Sequence, residues 1–438
     1  MRILLTTTGS LGDVHPFMAI GLGLRARGHH VTLATSRSYQ LKIERVGLRF
    51  APMGPHLSLD DAALIQRVMN PRQGPEYLVR KIMLPAVPEA FKEVKAAAAD
   101  ADLIVTHPIT YGAQIAAEKT GLPWVSTVTA PFIFFSRYDP PVLAPAPYLA
   151  RLRGLGPAVN GLVLGLGRAA TRHWMAPMAR FRRSLGLPPD RNPVFAGQHS
   201  PQSVLALFSR VMGEAQPDWP PQTRITGFPF YDQAGHEQGL DPDLERFLDA
   251  GPAPVVFTLG SSAVNHAGAF YQESLAAIRQ LRCRAVLLAG NNRLAGPLPA
   301  ETAVFPYAAF SRIFPRASAI VHQGGIGTSA QALAAGKPML VVPFAFDQPD
   351  NAARLQRLGV ARVIIHSKYS AERARKELGH LLATTAYGEN AAALARAIAR
   401  EDGVRTACDV IASHSPASTT NAASAGHEHP AAGQSTLP

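Results

Sequence analysis

Cysteine is scarce in this sequence, and long apolar runs are absent from it. The two cysteines, Cys283 and Cys408, are too few for a disulfide framework and lack the spacing of a metal-ligand set. No run of about 18 uninterrupted apolar residues is present that would span a bilayer. The first five residues lack the basic, apolar and small-residue succession of a signal peptide. We therefore expect a cytoplasmic protein without a membrane span.

Acidic residues are fewer than basic ones, 31 against 43, and the formal net charge is +12. This balance suits a polyanion, an acidic membrane surface or a diphosphate ligand. Nucleic acid is not expected, because the sequence has no zinc-finger, RNA-recognition or helix-turn-helix signature. The densest basic group surrounds Trp174 and Phe181 and favours either a solvated helix face or peripheral contact with the inner face of a membrane. Its members are Arg168, Arg172, Arg180, Arg182 and Arg183.

The length of 438 residues exceeds one ordinary core and fits two domains of about 200 residues each. Apolar strand-like runs alternate in the first half with helical segments, the first of which is expected to begin at Pro16. These segments lie at 2–7, 16–28, 31–34, 103–105, 111–119 and 124–128. Such an order is typical of a doubly wound parallel sheet.

A proline-rich interruption at 217–221, followed by a polar stretch to about residue 240, predicts an interdomain linker. Beyond it the same order of elements begins again, with strands at 254–259, 285–289 and 319–322 and a helix at 329–335. The predicted organisation is an N-terminal domain over 1–222, a linker over 223–240, a C-terminal domain over 241–390, a last helix over 391–412 and a disordered tail over 413–438.

The strongest local motif is the glycine-rich run from His322 to Ser329, which follows a buried strand and opens a helix. Glycines let backbone N–H groups approach a ligand closely, and the N-terminus of a helix favours phosphate. A flexible strand-to-helix turn without a ligand is the alternative interpretation. Downstream, Asp347 and Gln348 follow the next strand at its carboxyl end.

Several segments together resemble the nucleotide-sugar glycosyltransferases, a family that includes plant and bacterial UDP-glycosyltransferases, sterol glucosyltransferases, antibiotic glycosyltransferases and rhamnosyltransferase B-type enzymes. The donor-binding signature of that family is similar to 307–310, 314–317, the glycine-rich turn and 347–348. The acceptor-side turn is similar to Gly9-Ser10-Leu11-Gly12-Asp13-Val14-His15-Pro16, and the bacterial linker is similar to 218–221 with 227–229. The resemblance extends over about residues 1 to 410.

The resemblance implies an α/β protein of the GT-B architecture, with two Rossmann-like doubly wound domains facing a cleft. It assigns the acceptor to the N-terminal domain and the nucleotide sugar to the C-terminal domain, and it implies that the last helix packs back across the linker. The implied donor-binding residues are Ser261, Tyr307, His322, Gln323, Gly324, Gly325, Gly327 and Thr328 around the nucleotide diphosphate, with Asp347 and Gln348 on the sugar hydroxyls.

The roles of Gln323 and His322 in the donor motif have more than one interpretation. Many relatives have histidine where this chain has Gln323, and a glutamine amide donates a hydrogen bond but carries no charge. The neighbouring His322 either compensates for this difference or packs at the end of its strand, because successive strand residues point to opposite faces.

Relatives place a catalytic base, histidine or aspartate, in the turn that contains Asp13. A carboxylate there would take the acceptor proton as the oxygen attacks the anomeric carbon; a turn-forming aspartate is the alternative. His15 either contacts the acceptor or caps the helix. His107 falls where plant relatives keep the aspartate that orients their histidine, so it is either the second member of an inverted pair with Asp13 or a loop histidine without that role.

The acceptor site and the metal requirement have weaker signals. Phe132, Phe134 and Phe135 are expected either to line a lipophilic acceptor pocket or to belong to the core. Asp241-Pro242-Asp243 imitates a metal-binding DxD motif, but it opens an apparent helix, where aspartate is a favoured N-cap. We therefore expect no metal ion.

The predicted function is an inverting, metal-independent glycosyltransferase that moves rhamnose from dTDP-rhamnose or glucose from UDP-glucose to a hydroxyl of a lipophilic acceptor. A hydroxy fatty acid, a flavonoid, a polyketide and a sterol are the acceptors considered. The dTDP-sugar or UDP-sugar is a co-substrate, and no further cofactor is expected. A nucleotide-sugar epimerase of the same fold and a non-catalytic partner protein of a glycosyltransferase are the alternatives. The oligomeric state is left open.

Overall fold

Two parallel β-sheets, one of seven strands and one of six, form the framework of the protein. The computed structural model describes residues 1–56, 61–188, 192, 194, 195, 197–231 and 239–414. The central strands are buried on both faces, as is typical of parallel sheets covered by helices on either side. The expected α/β class with two doubly wound domains is confirmed.

The first sheet consists of β1 (Arg2–Thr6), β2 (His30–Thr35), β3 (Arg49–Pro52), β4 (Leu103–Thr106), β5 (Trp124–Val128), β6 (Ser203–Ala206) and β7 (Thr223–Ile225). Their spatial order is β3-β2-β1-β4-β5-β6-β7. The helices of this half are α1 (Leu11–Ala26), α2 (Gln40–Arg45), α3 (Ala62–Val68), α4 (Gly74–Tyr77), α5 (Leu84–Ala97), α6 (Tyr111–Thr120), α7 (Pro157–Thr171) and α8 (Ala176–Ser184). A π-helical segment, Leu78–Met83, joins α4 to α5, and Pro131–Phe134 and Pro147–Leu155 are 3₁₀-helical.

The second sheet consists of β8 (Val255–Thr258), β9 (Ala285–Leu288), β10 (Thr302–Phe305), β11 (Ala319–His322), β12 (Met339–Val341) and β13 (Ala361–Val363), in the order β10-β9-β8-β11-β12-β13. Its helices are α9 (Pro242–Asp249), α10 (Gly260–Ala263), α11 (Phe270–Leu281), α12 (Phe310–Ile313), α13 (Ile326–Ala334), α14 (Gln348–Arg357), α15 (Ala371–Ala383) and α16 (Thr385–Ile398), and the chain ends its regular structure with α17 (Gly403–Ala412).

The strand order reverses direction at one point in each sheet. In the first sheet β1 pairs with both β2 and β4, and in the second β8 pairs with both β9 and β11. Ligands of open α/β sheets bind outside the carboxyl ends of the strands at such switch points. The segments that follow β1, β4, β8 and β11 are therefore the ones that position a site.

The first helix begins earlier than its sequence suggested, at Leu11 rather than at Pro16. Ser10 is the N-cap, and Pro16 lies inside the helix. Proline is a common first helical residue, but here the side chains of Ser10 and Asp13 form a capping box, which satisfies the first free N–H groups several residues earlier. Asp13 and His15 are consequently helical residues and not members of a loop.

The start of the expected linker, 223–240, needs correction. Strand β7, Thr223–Ile225, pairs with β6 and forms the edge of the first sheet, so these residues belong to the N-terminal domain. Three residues of β-structure next to a proline-rich segment give too short an apolar run to be recognised. Within the linker, residues 232–238 lie outside the described part of the chain.

The helix expected over 391–412 is two helices, α16 and α17, separated at 399–402. Helix α17 packs on the N-terminal domain: Ala407, Cys408 and Ile411 share an apolar cluster with residues of α1 and β1. The side chain of Asp402 caps α17 by accepting a hydrogen bond from the N–H of Arg405 at 2.9 Å. Of the expected tail, 413–438, residues 415–438 lie outside the described residues.

The two domains share a continuous apolar cluster. Phe208, Trp219 and Phe228 of the N-terminal half belong to the same cluster as Phe314 and Val341 of the C-terminal half. Within the described residues, none of the helices is both long enough and apolar enough to cross a membrane.

Candidate active site between the two domains

The N-terminus of α1 positions Asp13. The Oδ2 atom of Asp13 accepts hydrogen bonds from the N–H of Ser10 at 2.8 Å and from the Ser10 hydroxyl at 3.2 Å. Gly9 has a φ of +124°, and a Cβ atom there would collide with the Asp13 carboxylate, so glycine is required at this turn. The carboxylate is held by its own turn, and its side chain is 30% exposed.

His107, which directly follows β4, lies beside Asp13. Its Nε2 atom is 3.3 Å from Oδ1 of Asp13, although the direction of approach does not meet hydrogen-bond geometry. Its Nδ1 atom accepts from the N–H of Ile109 at 3.5 Å, so the neutral ring carries its proton on Nε2, the ring atom nearer to the carboxylate. The His107 side chain is only 4% exposed. The structure thus brings the two predicted residues together, with Asp13 as the accessible member.

His15 does not share this arrangement. It follows Asp13 by two positions, about 200° around the helix, and its ring packs against Tyr231 with centroids 4.7 Å apart. Burial, with a smaller contribution from the charge of Lys42, lowers the pKa of His15 to about 3. His15 is therefore a neutral packing residue next to the linker, and it does not cap α1, whose N-cap is Ser10.

The glycine-rich turn connects β11 to α13. Gly324 has a φ of +84°, and a Cβ atom there would approach Cγ1 of Val341 to 2.8 Å, so only glycine fits. Gly325 is the N-cap of α13, followed by Gly327 and Thr328 in the first turn. The N–H groups of a first helical turn have no intrahelical acceptor. The turn therefore offers donors to an anion, as the motif predicted.

The side chains of His322 and Gln323 are buried beside this turn. His322 is fully buried, its Nδ1 atom accepts from the N–H of Gly324 at 3.1 Å, and burial lowers its pKa to about 3. The Nε2 atom of Gln323, which is also buried, lies 3.4 Å from the Thr328 hydroxyl. Both side chains thus contact the turn and stabilise its shape. For His322 this agrees with the interpretation that it packs at the end of its strand.

Asp347 closes the turn from the side of the β12–α14 connection. Its Oδ2 atom accepts from the N–H of Ile326 at 3.2 Å and from Nδ2 of Asn351 at 2.7 Å. Burial, and to a lesser degree the charge of Asp13 across the cleft, raises the pKa of Asp347 to about 7. The adjacent Gln348 is buried, and its Oε1 atom accepts from the N–H groups of Phe344 and Ala345 at 2.8 and 3.2 Å. That carbonyl supports the loop and does not face the cleft.

The helix N-termini of the two domains face each other. A Cβ atom on Gly327 would lie 3.8 Å from the Cα atom of Gly12, and no other atom lies within ordinary contact distance of it in the described residues. The charge of Asp13 also acts on Asp347. Ser261, in α10 after β8, and Tyr307, after β10, are both exposed. The cleft thus combines a carboxylate of one domain with free N–H groups of the other.

The three phenylalanines predicted for the acceptor site differ from one another. Phe134 is a core residue, because it is buried and stacks on Trp219 with centroids 3.9 Å apart. Phe132 and Phe135 are partly exposed, and Phe135 contacts Phe195 at 4.6 Å between centroids. Only Phe132 and Phe135 are therefore available to line a pocket.

Metal ligands are not gathered at the cleft in the part of the chain that the structure describes. The group of side chains close enough to hold an ion consists of His56, Glu89 and Glu93. His56 follows β3, and the two glutamates belong to α5. Asp241 accepts a hydrogen bond from the N–H of Asp243 at 2.8 Å and caps α9, as expected.

A cluster of charged residues joins the two domains near α14, and it was not predicted from the sequence. Arg354 and Asp350 are both buried and form a salt bridge at 2.6 Å, and Arg354 also pairs with Asp139 of the N-terminal domain. Asp350 accepts from the N–H of Val142 at 2.9 Å. The spacing of Asp350 and Arg354 on one helix face is visible in the sequence, but Asp139, 215 positions away from Arg354, is not.

Comparison with known proteins identifies the family of both halves. Residues 3–134 match the family described as glycosyltransferase family 28 N-terminal domain, and residues 273–423 match the one described as erythromycin biosynthesis protein CIII-like, C-terminal domain. An O-mycaminosyltylonolide 6-deoxyallosyltransferase of Streptomyces fradiae is 33% identical over 96% of this chain and 99% of its own length. A sterol 3-beta-glucosyltransferase of Arabidopsis thaliana is 26% identical, over 96% of this chain and 67% of its own.

Solved structures show the same fold. The glycotransferase of kitacinnamycin superposes with a TM-score of 0.73 at 23% identity, over 95% of this chain and 99% of that one. The glycosyltransferase VinC in complex with dTDP superposes with a TM-score of 0.66 at 20% identity, over 94% and 99% of the two chains. The matches of sequence and fold agree over nearly the whole length, and the chain belongs to the nucleotide-sugar-dependent glycosyltransferases of the GT-B fold.

Proposed function

We propose that this glycosyltransferase moves a hexosyl or deoxyhexosyl group from a dTDP- or UDP-sugar to a hydroxyl of a lipophilic acceptor, with inversion and without a metal ion. The observation that carries the proposal is the placement of Asp13 at the N-terminus of α1, beside His107 and opposite the N-terminus of α13. A base and an anion-binding turn on opposite walls of one cleft suit a direct displacement between them.

In the proposed reaction the acceptor hydroxyl transfers its proton to Asp13 as its oxygen forms a bond to the anomeric carbon. The bond from that carbon to the diphosphate breaks, and its electron pair leaves with the diphosphate. Attack and departure on opposite faces invert the anomeric centre. His107 acts as a positioning residue, because its Nε2 atom lies 3.3 Å from Oδ1 of Asp13 and stabilises the charge of that carboxylate.

The leaving diphosphate is proposed to lie on the first turn of α13. The N–H groups of Gly325, Gly327 and Thr328 and the dipole of the helix stabilise the growing negative charge there. One well-placed donor of this kind is worth on the order of 10²- to 10³-fold in rate, so several of them take the place of a divalent cation. Asp347 is proposed to accept hydrogen bonds from sugar hydroxyls next to this turn.

The acceptor is proposed to be a polyketide, with a sterol, a flavonoid or a hydroxy fatty acid as further candidates. The relative from Streptomyces fradiae is named for transfer to O-mycaminosyltylonolide, and the plant relative is named for sterol. The dTDP-bound state of VinC supports a thymidine nucleotide, and dTDP-rhamnose and UDP-glucose are the donors to be compared first. The comparisons favour neither an epimerase nor a non-catalytic partner protein.

Product analysis tests the proposal directly. The protein is incubated with dTDP-rhamnose or UDP-glucose and one acceptor at a time: a macrolide aglycone, a sterol, a flavonoid or a hydroxy fatty acid. We expect mass spectrometry to show a glycosylated acceptor with one donor, and nuclear magnetic resonance to show the inverted anomer. Epimerised donor without any glycoside would identify an epimerase, and retention of configuration would exclude a single displacement.

A further inference from the structure

Helix α7 exposes a row of apolar side chains that the proposed reaction does not use. Leu162 and Leu166 are 66% and 63% exposed, and they are one helical turn apart. Ala158, Gly165 and Ala169 lie on the same face, so the row has no polar side chain. The opposite face is buried through Asn160 and Leu164. The 3₁₀ segment that precedes α7 carries two further exposed apolar side chains, Tyr148 and Leu155.

The segment that contains this row has charges of one sign. No aspartate or glutamate occurs between positions 139 and 190, whereas seven arginines do. Two of them are neutralised, Arg153 by Asp139 and Arg182 by Glu118. The other five are exposed and form no salt bridge with the described residues: Arg151, Arg168, Arg172, Arg180 and Arg183. Whatever covers this face must therefore be apolar and carry negative charge.

We propose that the exposed face of α7, with Tyr148 and Leu155, docks on the surface of a membrane that contains anionic phospholipid. An apolar row flanked by arginines is the pattern of helices that lie in the interface of a bilayer. A second copy of the chain does not fit, because it would bring five unneutralised arginines of each copy together. An acidic protein fits less well, because the cores of protein interfaces are enriched in aromatic side chains and depleted in alanine, and the row on α7 consists of leucine, alanine and glycine.

Sedimentation of the full chain with lipid vesicles tests the proposal. We expect binding to vesicles of phosphatidylcholine mixed with phosphatidylglycerol, much weaker binding to phosphatidylcholine alone, and release as the salt concentration rises. Arg168→Gln combined with Arg172→Gln should weaken binding to the anionic vesicles and reduce its dependence on salt. Leu162→Gln combined with Leu166→Gln should lower the partition coefficient by at least about tenfold, because two exposed leucines no longer enter the lipid.

The matched control is Leu41→Gln, which replaces another leucine on the N-terminal domain that is 69% exposed and lies on α2. Glutamine has nearly the helix propensity of leucine, so all these variants should melt near the wild-type temperature. Leu41→Gln should bind vesicles like the wild type. The proposal is overturned if the wild type stays in the supernatant with both kinds of vesicle, or if the α7 leucine variant binds like the control. Retention on immobilised polyglutamate without any binding to vesicles would also overturn it, in favour of an acidic protein partner.

Discussion

The Oδ1 atom of Asp13 lies 3.3 Å from the Nε2 atom of His107, although the two residues are 94 positions apart in the chain. They meet because β1 and β4 are parallel neighbours in register, with Thr6 beside Thr106, so the segments that follow the two strands leave the sheet side by side. The histidine is buried and the carboxylate is accessible. This difference in burial separates the two roles, and it makes each of them testable by itself.

Asp13→Asn should abolish turnover while donor affinity and folding are preserved. The asparagine carbonyl retains the hydrogen bond from the N–H of Ser10, so α1 remains capped. An amide does not accept the acceptor proton, and base catalysis is worth about 10²- to 10⁴-fold in rate. The measurements are kcat for glycosyl transfer, the nucleotide dissociation constant and the melting temperature.

A matched control for Asp13→Asn is Asp61→Asn. Asp61 caps α3 by accepting from the N–H of Leu64 at 3.0 Å, so the same substitution changes a capping aspartate outside the pair with His107. It should leave kcat unchanged. Retention of more than about a tenth of the wild-type kcat by Asp13→Asn would exclude Asp13 as the principal base, because that loss is below the usual range.

His107→Gln should lower kcat by less than about 10²-fold, the lower end of the range for a general base. Glutamine still places an N–H near Asp13. Unlike histidine, it cannot become positively charged when the proton of the acceptor hydroxyl is transferred to Asp13. The Michaelis constant of the donor should not change, because His107 belongs to the other domain. A loss equal to that of Asp13→Asn would make His107 the base.

The fold was predictable from local signals of strand and helix. Apolar runs of four to five residues such as Leu103–Thr106 and Trp124–Val128 are buried strands, and glycine ends the helix between them at Gly121, which has a φ of +73°. Ser10 was harder, because its capping box with Asp13 competed with the stronger signal of Pro16. Strand β7 and the break between α16 and α17 were missed because tertiary contacts, and not local propensity, define them.

The parts of the site that depend on the course of the backbone were predictable from the sequence. The parts that depend on the direction of a side chain were less so. The glycine-rich turn and the nearness of Asp13 and His107 follow from the order of strands, and both are present. The direction of a side chain depends on neighbours that are distant in sequence. Gln348 turned out to support a loop, and Phe134 turned out to stack on Trp219 in the core. No sequence pattern distinguishes these outcomes from contact with a ligand.

Gly327→Val should prevent donor binding without damaging the turn. Gly327 is preferable to Gly324, whose φ of +84° strains any other residue, because a Cβ atom on Gly327 meets only Gly12 at 3.8 Å. The new side chain would stand in the space where the diphosphate approaches the backbone, so nucleotide affinity should fall by more than about tenfold. Calorimetry with dTDP and UDP measures this affinity.

The control for this substitution is Gly388→Val in α16, where an added Cβ atom meets nothing within 4 Å outside its own stretch of helix in the described residues. It makes the same change from glycine to valine in a helix, but it lies away from the glycine-rich turn. The nucleotide affinity of this variant should therefore equal that of the wild type. If both variants bind nucleotide equally well, the diphosphate binds elsewhere.

Glycosyl transfer should continue in the presence of EDTA. Charge on the leaving diphosphate is balanced by helix N–H groups, and we expect kcat to stay within about twofold of its value with added Mg²⁺. Among the described residues, a group of side chains close enough to hold a divalent cation consists of His56, Glu89 and Glu93. Glu93→Gln removes one of these ligands and is measured in parallel. A tenfold loss of kcat on chelation that is reversed by Mg²⁺ or Mn²⁺ would contradict the metal-independent mechanism. This holds whether Glu93→Gln loses activity on chelation or not.

Asp347→Asn should change how the stability of the protein depends on pH. Burial and the charge of Asp13 raise the pKa of Asp347 to about 7 in the folded state, from the model-compound value of 3.8. Between these two values the folded protein binds a proton that the unfolded chain releases, so the free energy of unfolding falls as pH rises from about 4 to about 7. Above both values the carboxylate is charged in both states and the loss is complete.

Asparagine does not ionise, but its carbonyl still accepts from the N–H of Ile326, so the variant should avoid this loss. Urea unfolding of both proteins between pH 4 and pH 8 measures the effect as a difference in the free energy of unfolding. That difference should shift in favour of Asp347→Asn as pH rises to about 7 and then stay constant. The shift should be smaller in an Asp13→Asn background, because the charge of Asp13 contributes to the raised pKa. A difference that does not vary with pH would show that Asp347 titrates like an exposed carboxyl, and the charge of Asp13 would then not reach it across the cleft.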